Sequence, residues 1–224
     1  MDISGIDYLG LERVLRRGSG KIIAEQDDAL FIRDSISEAY FLACENAVTG
    51  IYLLDQYISQ DCNLLMVSDH STGINAFERF GFSEKLECCN FAYFGKKPEV
   101  STELTVRAAE ENDLAMLIEN YRLISPEELQ SIVRRKGILL GYDQDRLIGF
   151  IGEHLEGSMG ILYVFPEYRH RGFGTALETH LIARTMEKGD IPFGQVEKDN
   201  LASLSLQKKI GMTKSDHLNV WMWR

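Results

Sequence analysis

The chain has 224 residues, of which 45% are hydrophobic and 26% are charged, a composition typical of folded globular proteins. Its formal net charge is −10 at pH 7, so its surface should repel phosphate backbones, and we expect no nucleic-acid partner. No run reaches the roughly 18 apolar residues that a membrane span requires, and the N-terminus lacks a signal-peptide core. These features predict a cytoplasmic protein without a membrane partner. We expect a monomer or homodimer.

Four cysteines lie in the first half of the chain and form no Cys-x-x-Cys pair: Cys44, Cys62, Cys88 and Cys89. No Cys/His array has the spacing of a metal site, so we expect buried free thiols and no metal.

A charged, proline-bearing stretch from Gly95 to Thr102 separates two apolar, strand-like runs, and it predicts a seam between domains at 1–98 and 103–224. Alternating patterns in the first domain predict strands and helices in mixed order. The predicted strands are Lys21–Ala24, Leu30–Arg33, Tyr40–Cys44, Asn63–Ser68 and Leu86–Phe94, and the predicted helices are Val48–Tyr57 and Ile74–Phe80.

After the seam, Leu104 to Arg107 alternates like a strand, and Asn112 is a candidate N-cap for a helix that carries Tyr121 on its apolar face. Ser125-Pro126-Glu127-Glu128 is a helix-start signature. Further predicted elements follow in chain order: two strands within 137–155, a strand within 158–165, a helix at Gly172–Lys188, a strand at Pro192–Glu197, a helix at Asn200–Ile210 and a strand at Leu218–Trp223. The order is that of a mixed α/β fold.

A faint internal repeat links the two halves. Residues 75–82 and 205–212 each read as a short helix that ends in glycine, followed by an apolar residue and a closing strand. Helix–glycine endings are common, but the similar element order around them favours a degenerate tandem copy.

The most informative segment is the strand, turn and helix from Leu162 to Leu177. Pro166 ends the strand because it has no N–H to donate, and Gly172 and Gly174 permit a tight turn and close approach to the backbone. The first turn of the following helix presents unpaired N–H groups, which form an anion site. Local positive charge comes from Arg169, His170 and Arg171.

Two other interpretations apply to this turn. It could be an ordinary strand-to-helix turn with solvated basic residues. It could also be a dinucleotide-binding turn, although Leu177 occupies the position where a third glycine or alanine is expected.

Arg169-x-x-Gly172-x-Gly174, after a strand ending in Val164-x-Pro166, resembles the acyl-CoA-binding motif of the GNAT superfamily of N-acetyltransferases. Asn200-x-x-Ser203, which leads to Lys209-Ile210-Gly211-Met212, resembles the second signature of that family. The resemblance covers about 104–223 and is closest to the glycine-N-acyltransferase-like branch. It implies a mostly antiparallel GNAT-type sheet flanked by helices, preceded by a smaller, related α/β half that is degenerate.

The resemblance also implies direct transfer of an acetyl or other short acyl group from acetyl-CoA to the primary amine of a small molecule. The pyrophosphate would be held by the main chain of Arg169, His170, Arg171, Gly172, Phe173, Gly174 and Thr175. The pantetheine arm would lie along Leu162, Tyr163 and Val164, with Asn200 and Ser203 beside it. The N–H of Val164 would polarise the thioester carbonyl as the oxyanion develops.

A general base must deprotonate the incoming ammonium. Relatives often carry a glutamate at the position of Ser158, so the candidates here are, in order, Glu153, His154 and Glu156, or a water chain. The family's general-acid tyrosine corresponds to Gln207, which cannot donate a proton at useful pH. Two other functions stay open: acetylation of a protein N-terminus or lysine, and, because of Gln207 and Ser158, CoA binding without catalysis.

Overall fold

A computed structural model describes residues 1–224, which form two compact units. The first unit comprises residues 1–91, 195–204 and 214–224, and the second comprises 92–194 and 205–213. The C-terminal residues of the chain thus belong to the unit that also holds the N-terminus.

The first unit begins with helix α1 (Leu9–Arg16), strands β1 (Gly20–Gln26), β2 (Ala29–Asp34) and β3 (Tyr40–Cys44), and helix α2 (Ala47–Tyr57). Strand β4 (Leu64–Val67), helix α3 (His70–Arg79) and strand β5 (Glu84–Ala92) follow, and the C-terminal strand β11 (Thr213–Trp223) completes the unit. Neighbouring strands occur in the order β1-β2-β3-β4-β11-β5, so the last strand of the chain lies between β4 and β5.

Apolar side chains cover both faces of this sheet. Phe31, Leu42 and Val220 belong to a cluster that includes residues of α2 and α3, whereas Ile32 and Phe41 pack with residues of α1. At the surface, the carboxylate of Glu87 accepts hydrogen bonds from two ammonium groups and an imidazole, and these bonds lower its pKa to about 2. These partners, which with Glu87 form the Glu87 cluster, are Lys198, Lys85 and His70.

The second unit contains strand β6 (Leu104–Ala108), helices α4 (Leu114–Asn120) and α5 (Pro126–Arg134), and strands β7 (Ile138–Asp143), β8 (Arg146–Glu153) and β9 (Met159–Val164). Helix α6 (Phe173–Glu187), strand β10 (Phe193–Glu197) and helix α7 (Leu201–Ile210) follow, and residues of β10 and α7 are divided between the two units. The strand order is β10-β9-β8-β7-β6. The β6–β7, β7–β8 and β8–β9 pairs are antiparallel, and the β9–β10 pair is parallel.

Helices cover both faces of the β6–β9 sheet. Alternate strand residues point to opposite sides, so each face carries apolar side chains for a helix to pack on. Leu140 and Phe150 pack with the apolar residues of α4 and α5. Leu139 and Ile148 point to the other face, where they pack with Leu177 and other residues of α6. The predicted fold class is confirmed in this respect: the sheet is mixed, largely antiparallel and flanked by helices.

Most predicted elements agree with the structure to within a few residues at each end, and Ser125 caps α5 as the sequence indicates. The prediction that Asn112 caps the next helix is wrong. The helical segment begins earlier, with a 3-10 turn at Glu111–Asp113, where Glu110 and Asp113 form a reciprocal capping box through each other's backbone N–H groups. Tyr121 lies just beyond α4 rather than on its face. Helix α1 had no predicted counterpart, and β11 begins five residues earlier than expected. All four cysteines are buried and free, as predicted.

The element order of the first half recurs in the second. The series β1-β2-β3-α2-β4-α3-β5 has the same order as β7-β8-β9-α6-β10-α7-β11. The pairings β1–β2 and β2–β3 are antiparallel and β3–β4 is parallel, like those of β7–β8, β8–β9 and β9–β10.

Candidate active site

The N-terminus of α6 is not capped by any side chain. Gly172 is the N-cap residue at φ +86°, and His170 lies in the left-handed region at φ +60°. The N–H groups of Phe173, Gly174 and Thr175 have no acceptor within the helix, because the first intrahelical bond runs from Ala176 N–H to the Gly172 carbonyl at 3.1 Å. The turn therefore directs a row of backbone donors and the positive end of the helix dipole to one place.

Two arginines shape the wall of this turn. Arg169 donates from Nε to the Val164 carbonyl at 2.9 Å, and its guanidinium lies 5.7 Å from the centre of the Tyr163 ring. Arg171 lies over the rings of Tyr168 and Phe173, at 5.7 and 5.1 Å. The structure thus brings the predicted pyrophosphate residues 169–175 together around the uncapped helix end.

The corresponding turn in the first half differs in one respect. Asn46 caps α2, and its side chain accepts a hydrogen bond from the Val48 N–H at 2.8 Å. A capped helix has fewer free donors for an anion. This turn therefore offers an anion fewer free backbone donors than the turn at 169–175 does.

Strand β9 contains a bulge that the sequence did not indicate. Ile161 has φ +53°, and the register with β8 slips by one residue between the pairs Phe150↔Tyr163 and Gly152↔Gly160. The N–H of Ile161 hydrogen-bonds to the hydroxyl oxygen of Tyr121, whose pKa burial raises to about 12 despite that bond. The bulge therefore bends β9 and uses one of its outward N–H groups.

Beyond the bulge, one edge of β9 is open. The parallel register between β9 and β10 consists of Gly194↔Met159. Phe165 donates its N–H to the Ile148 carbonyl of β8 at 3.0 Å, so alternation along the strand directs the N–H groups of Val164 and Leu162 to the opposite edge. These two predicted site residues present backbone donors that another extended group could pair with.

Gly174 faces side chains that β9 directs to the α6 side of the sheet. A Cβ atom at Gly174 would lie 3.9 Å from side-chain atoms of Leu162, Val164 and Leu206. The interface of β9, α6 and α7 at this point is thus apolar, and it lies next to the uncapped helix end.

His154 and Glu156 lie near the bulge, on the turn that joins β8 and β9. A Cβ atom at Gly160 would lie 2.7 Å from Nε2 of His154, so the imidazole packs directly on the strand one residue before the bulge. Its Nδ1 lies 3.9 Å from a carboxylate oxygen of Glu128 on α5. Burial lowers the pKa of His154, but the carboxylates of Glu128 and Glu156 outweigh it, so the net shift is upward. Glu156 is buried and accepts a short hydrogen bond from the Ser158 hydroxyl.

Glu153 is engaged elsewhere. One of its carboxylate oxygens accepts from the Thr185 hydroxyl and the other from Lys188 Nζ, both at 2.8 Å. Thr185 is near the C-terminal end of α6, about 18 Å along the helix axis from Phe173 at 1.5 Å per residue. Glu153 therefore contacts the C-terminal end of α6, away from the uncapped turn.

Asn200 and Ser203 belong to the first compact unit, whereas the turn at 169–175 belongs to the second. The side-chain oxygen of Asn200 accepts from the Ser203 N–H at 3.1 Å, which is the N-cap arrangement expected from the sequence. A role for either residue in holding a pantetheine arm stays a prediction.

Sequence reasoning missed a buried acid in α6. Glu178 is 4% exposed, and one of its carboxylate oxygens has no hydrogen-bond partner. A signal existed in the helical spacing, because Glu178 lies four residues after Gly174 and four before the buried Ile182. The β9 bulge had no such signal.

Comparisons with known proteins agree with this architecture. Residues 136–222 match a family model described as FR47-like protein. No curated protein sequence is significantly similar to the chain. A solved structure of a Drosophila protein is 19% identical with a TM-score of 0.75, covering 99% of this chain and 90% of that one. A protein of Novosphingobium aromaticivorans assigned to the GNAT family of acetyltransferases is 14% identical with a TM-score of 0.63, and the similarity covers 99% of each chain.

A tandem GNAT protein from the clavulanic acid biosynthesis pathway is 12% identical with a TM-score of 0.50, covering 96% of this chain and 87% of that one. At such identities the likeness concerns the fold, which is that of GNAT acetyltransferases. Separately, the helices of this chain include none with the length and apolar character needed to cross a bilayer.

Proposed function

We propose that the chain is an N-acyltransferase that moves an acetyl or other short acyl group from acetyl-CoA to the primary amine of a small molecule. The observation that carries the proposal is the uncapped N-terminus of α6 beside the open edge of β9. The donors of the turn suit a pyrophosphate, and the open edge suits the amide-bearing pantetheine arm, which can pair with a strand. The GNAT fold of the solved relatives supports this assignment.

In this arrangement the pyrophosphate lies at the turn, so the thioester lies further along β9, toward the bulge. The outward N–H groups of Val164 and Leu162 then serve two tasks: one pairs with the pantetheine arm, and one stabilises the oxyanion. Removing one oxyanion donor typically raises the barrier by about 3 to 4 kcal/mol. Of the two, Val164 is the oxyanion donor expected from the sequence.

Proline substitutions separate these tasks because proline has no N–H. The variant that removes the oxyanion donor lowers kcat with a nearly unchanged dissociation constant for acetyl-CoA, and the variant that removes a pantetheine partner weakens binding. We expect Val164→Pro to lower kcat at least 100-fold, and Leu162→Pro provides the comparison. Circular dichroism verifies that each variant is folded.

His154 is the proposed base for the incoming ammonium. Its imidazole packs on Gly160, next to the bulge, and the carboxylates of Glu128 and Glu156 shift its pKa upward, which makes it a stronger proton acceptor. We expect His154→Gln to lower kcat at least tenfold without changing acetyl-CoA affinity. Glu153→Gln is the comparison variant, because its contacts with Thr185 and Lys188 suggest a structural role. A loss of turnover in Glu153→Gln alone would return the role to Glu153.

The acceptor is proposed to be a small cationic amine. The carboxylates of Glu128 and Glu156 raise the pKa of His154 and would equally attract a positive charge.

The first half is proposed to be a degenerate GNAT-like copy, as its repeated element order and the tandem GNAT protein of similar fold suggest. We propose that the two copies extend over residues 1–98 and 103–224.

Isothermal titration calorimetry with acetyl-CoA tests the binding step, and thioester consumption with amino acids, polyamines and peptides tests transfer. Binding accompanied by amine-dependent thioester loss supports the proposal. If acetyl-CoA binds but no amine increases thioester consumption, the chain is a CoA-binding module. That outcome is compatible with Gln207 at the position of the family's tyrosine. No heat of CoA association would overturn the proposal.

A further inference from the structure

Helix α6 carries a buried carboxyl group that the proposed chemistry has not yet used. Glu178 is 4% exposed, and its Oε2 atom is buried without a hydrogen-bond partner. Burial raises its pKa to about 7, while a hydrogen bond from Gln207 acts in the opposite direction. An incompletely satisfied carboxylate in a helix interface is unfavourable, so the fold holds this group partly protonated at neutral pH.

The carboxyl group lies at the interface of β9, α6 and α7. Glu178 follows Gly174 by four residues and therefore projects from the same face of α6. Gly174 faces Leu162 and Val164 of β9 and Leu206 of α7, and Gln207, the partner of Glu178, is the next residue of α7. Glu178 is thus one helical turn deeper than Gly174, in the direction that leads from the turn toward the bulge.

We propose that the Glu178 carboxyl group is the proton donor to the departing CoA thiolate. The inference rests on the proposed function. The amine nitrogen attacks the thioester carbon, and the carbon–sulfur bond breaks with its electron pair on sulfur. The sulfur then takes the proton of Glu178, while His154 takes the proton that the amine loses. Exchange with solvent returns a proton to Glu178 and removes one from His154.

Gln207 has a defined part in this arrangement. An amide cannot supply a proton at neutral pH, but its NH2 group can donate a hydrogen bond to a carboxylate. The hydrogen bond from Gln207 favours the charged form of Glu178, as the downward contribution to the pKa indicates. Gln207 therefore positions the acid and stabilises the carboxylate that remains after proton transfer.

Glu178→Gln keeps the shape of the side chain and removes the acid. We expect kcat to fall at least tenfold while the dissociation constant of acetyl-CoA changes less than twofold. The ratio of wild-type to variant kcat should fall toward one as the pH rises above about 7, because the wild-type acid then loses its proton. Glu187→Gln, on the same helix but exposed and paired with Lys97, is the matched control and should leave kcat unchanged. Equal turnover of Glu178→Gln and wild type, or a ratio that does not change with pH, would overturn the inference.

Glu178→Leu distinguishes a catalytic acid from a structural one. We expect this variant to raise Tm by about 2–4 °C, because it removes an unsatisfied buried carboxyl group, and yet to lose turnover. A lower Tm with turnover reduced only in proportion to the folded fraction would assign Glu178 a structural role. If wild type binds acetyl-CoA and acetylates amines but Glu178→Gln does the same, only this inference fails. If wild type neither binds nor transfers, the proposed function fails and takes the inference with it.

Discussion

Replacing Glu178 with glutamine should change how the stability of the protein depends on pH. The folded-state pKa of about 7 is above the ordinary value of 4.5, so the folded protein binds this proton more tightly than the unfolded chain does. Stability is therefore highest when the group is protonated in both states, below about pH 4.5, and is lost as the pH rises through 7. One pKa unit corresponds to about 1.4 kcal/mol, so full ionisation costs about 3 kcal/mol of folding free energy.

Urea denaturation of the two proteins at pH 5 and pH 8 measures this effect. Most of the loss falls between these two values, so the free energy of unfolding of Glu178→Gln relative to wild type should rise by about 2 to 3 kcal/mol from pH 5 to pH 8. Other titrating groups, including His154, are common to both proteins and cancel in the difference. Glu187→Gln should show no such change, because Lys97 lowers the pKa of Glu187 and keeps it ionised at both pH values. A wild-type and Glu178→Gln difference that is the same at both pH values would refute the assigned burial and protonation of Glu178.

Three further predictions concern the turn, the surface and the thiols. Gly172→Ala and Gly189→Ala both place alanine at a φ near +80° with open space around the new methyl group, so each should lower the free energy of unfolding by about 1 kcal/mol. Calorimetry should show weaker acetyl-CoA binding only for Gly172→Ala. Glu87→Gln should destabilise the protein at pH 7, and the difference should vanish as the pH falls toward 2, where the wild-type carboxylate of the Glu87 cluster is protonated; thermal unfolding at several pH values measures it. Burial raises the pKa of Cys44 to about 11 and those of Cys62 and Cys88 to about 12, so mass spectrometry should find them unmodified by iodoacetamide at pH 8 unless the protein is unfolded.

Local elements were largely predictable because their causes are local. Alternation and helical spacing depend on residues a few positions apart, and β3 from Tyr40 to Cys44 has the predicted bounds. Ser125 and Pro126 mark the start of α5 for the same reason. The cap predicted at Asn112 was wrong because Asn112 lies inside a 3-10 turn that begins at Glu111, and the capping box is formed by Glu110 and Asp113.

The position of β11 between β4 and β5 was not predictable from its sequence. Nothing in the alternation of residues 218–223 identifies which strands accept this segment, because partner choice depends on backbone groups far away in the chain. The same holds for the bulge at Ile161, where register in both neighbouring strands decides which residue takes a positive φ.

For the candidate site, the sequence by itself determined the glycine turn, the strand before it and the helix after it, since these follow from the conformational freedom of Gly172 and the periodicity of the helix. Only the tertiary structure decided which titratable side chains are the candidate base and acid beside it. Glu153, first among the candidate bases by sequence, is bound to Thr185 and Lys188, whereas His154 packs beside the bulge and Glu178 is buried against α7. The protonation of a side chain depends on burial and on charges brought near by folding, and neither can be inferred from the residues next to it in the sequence.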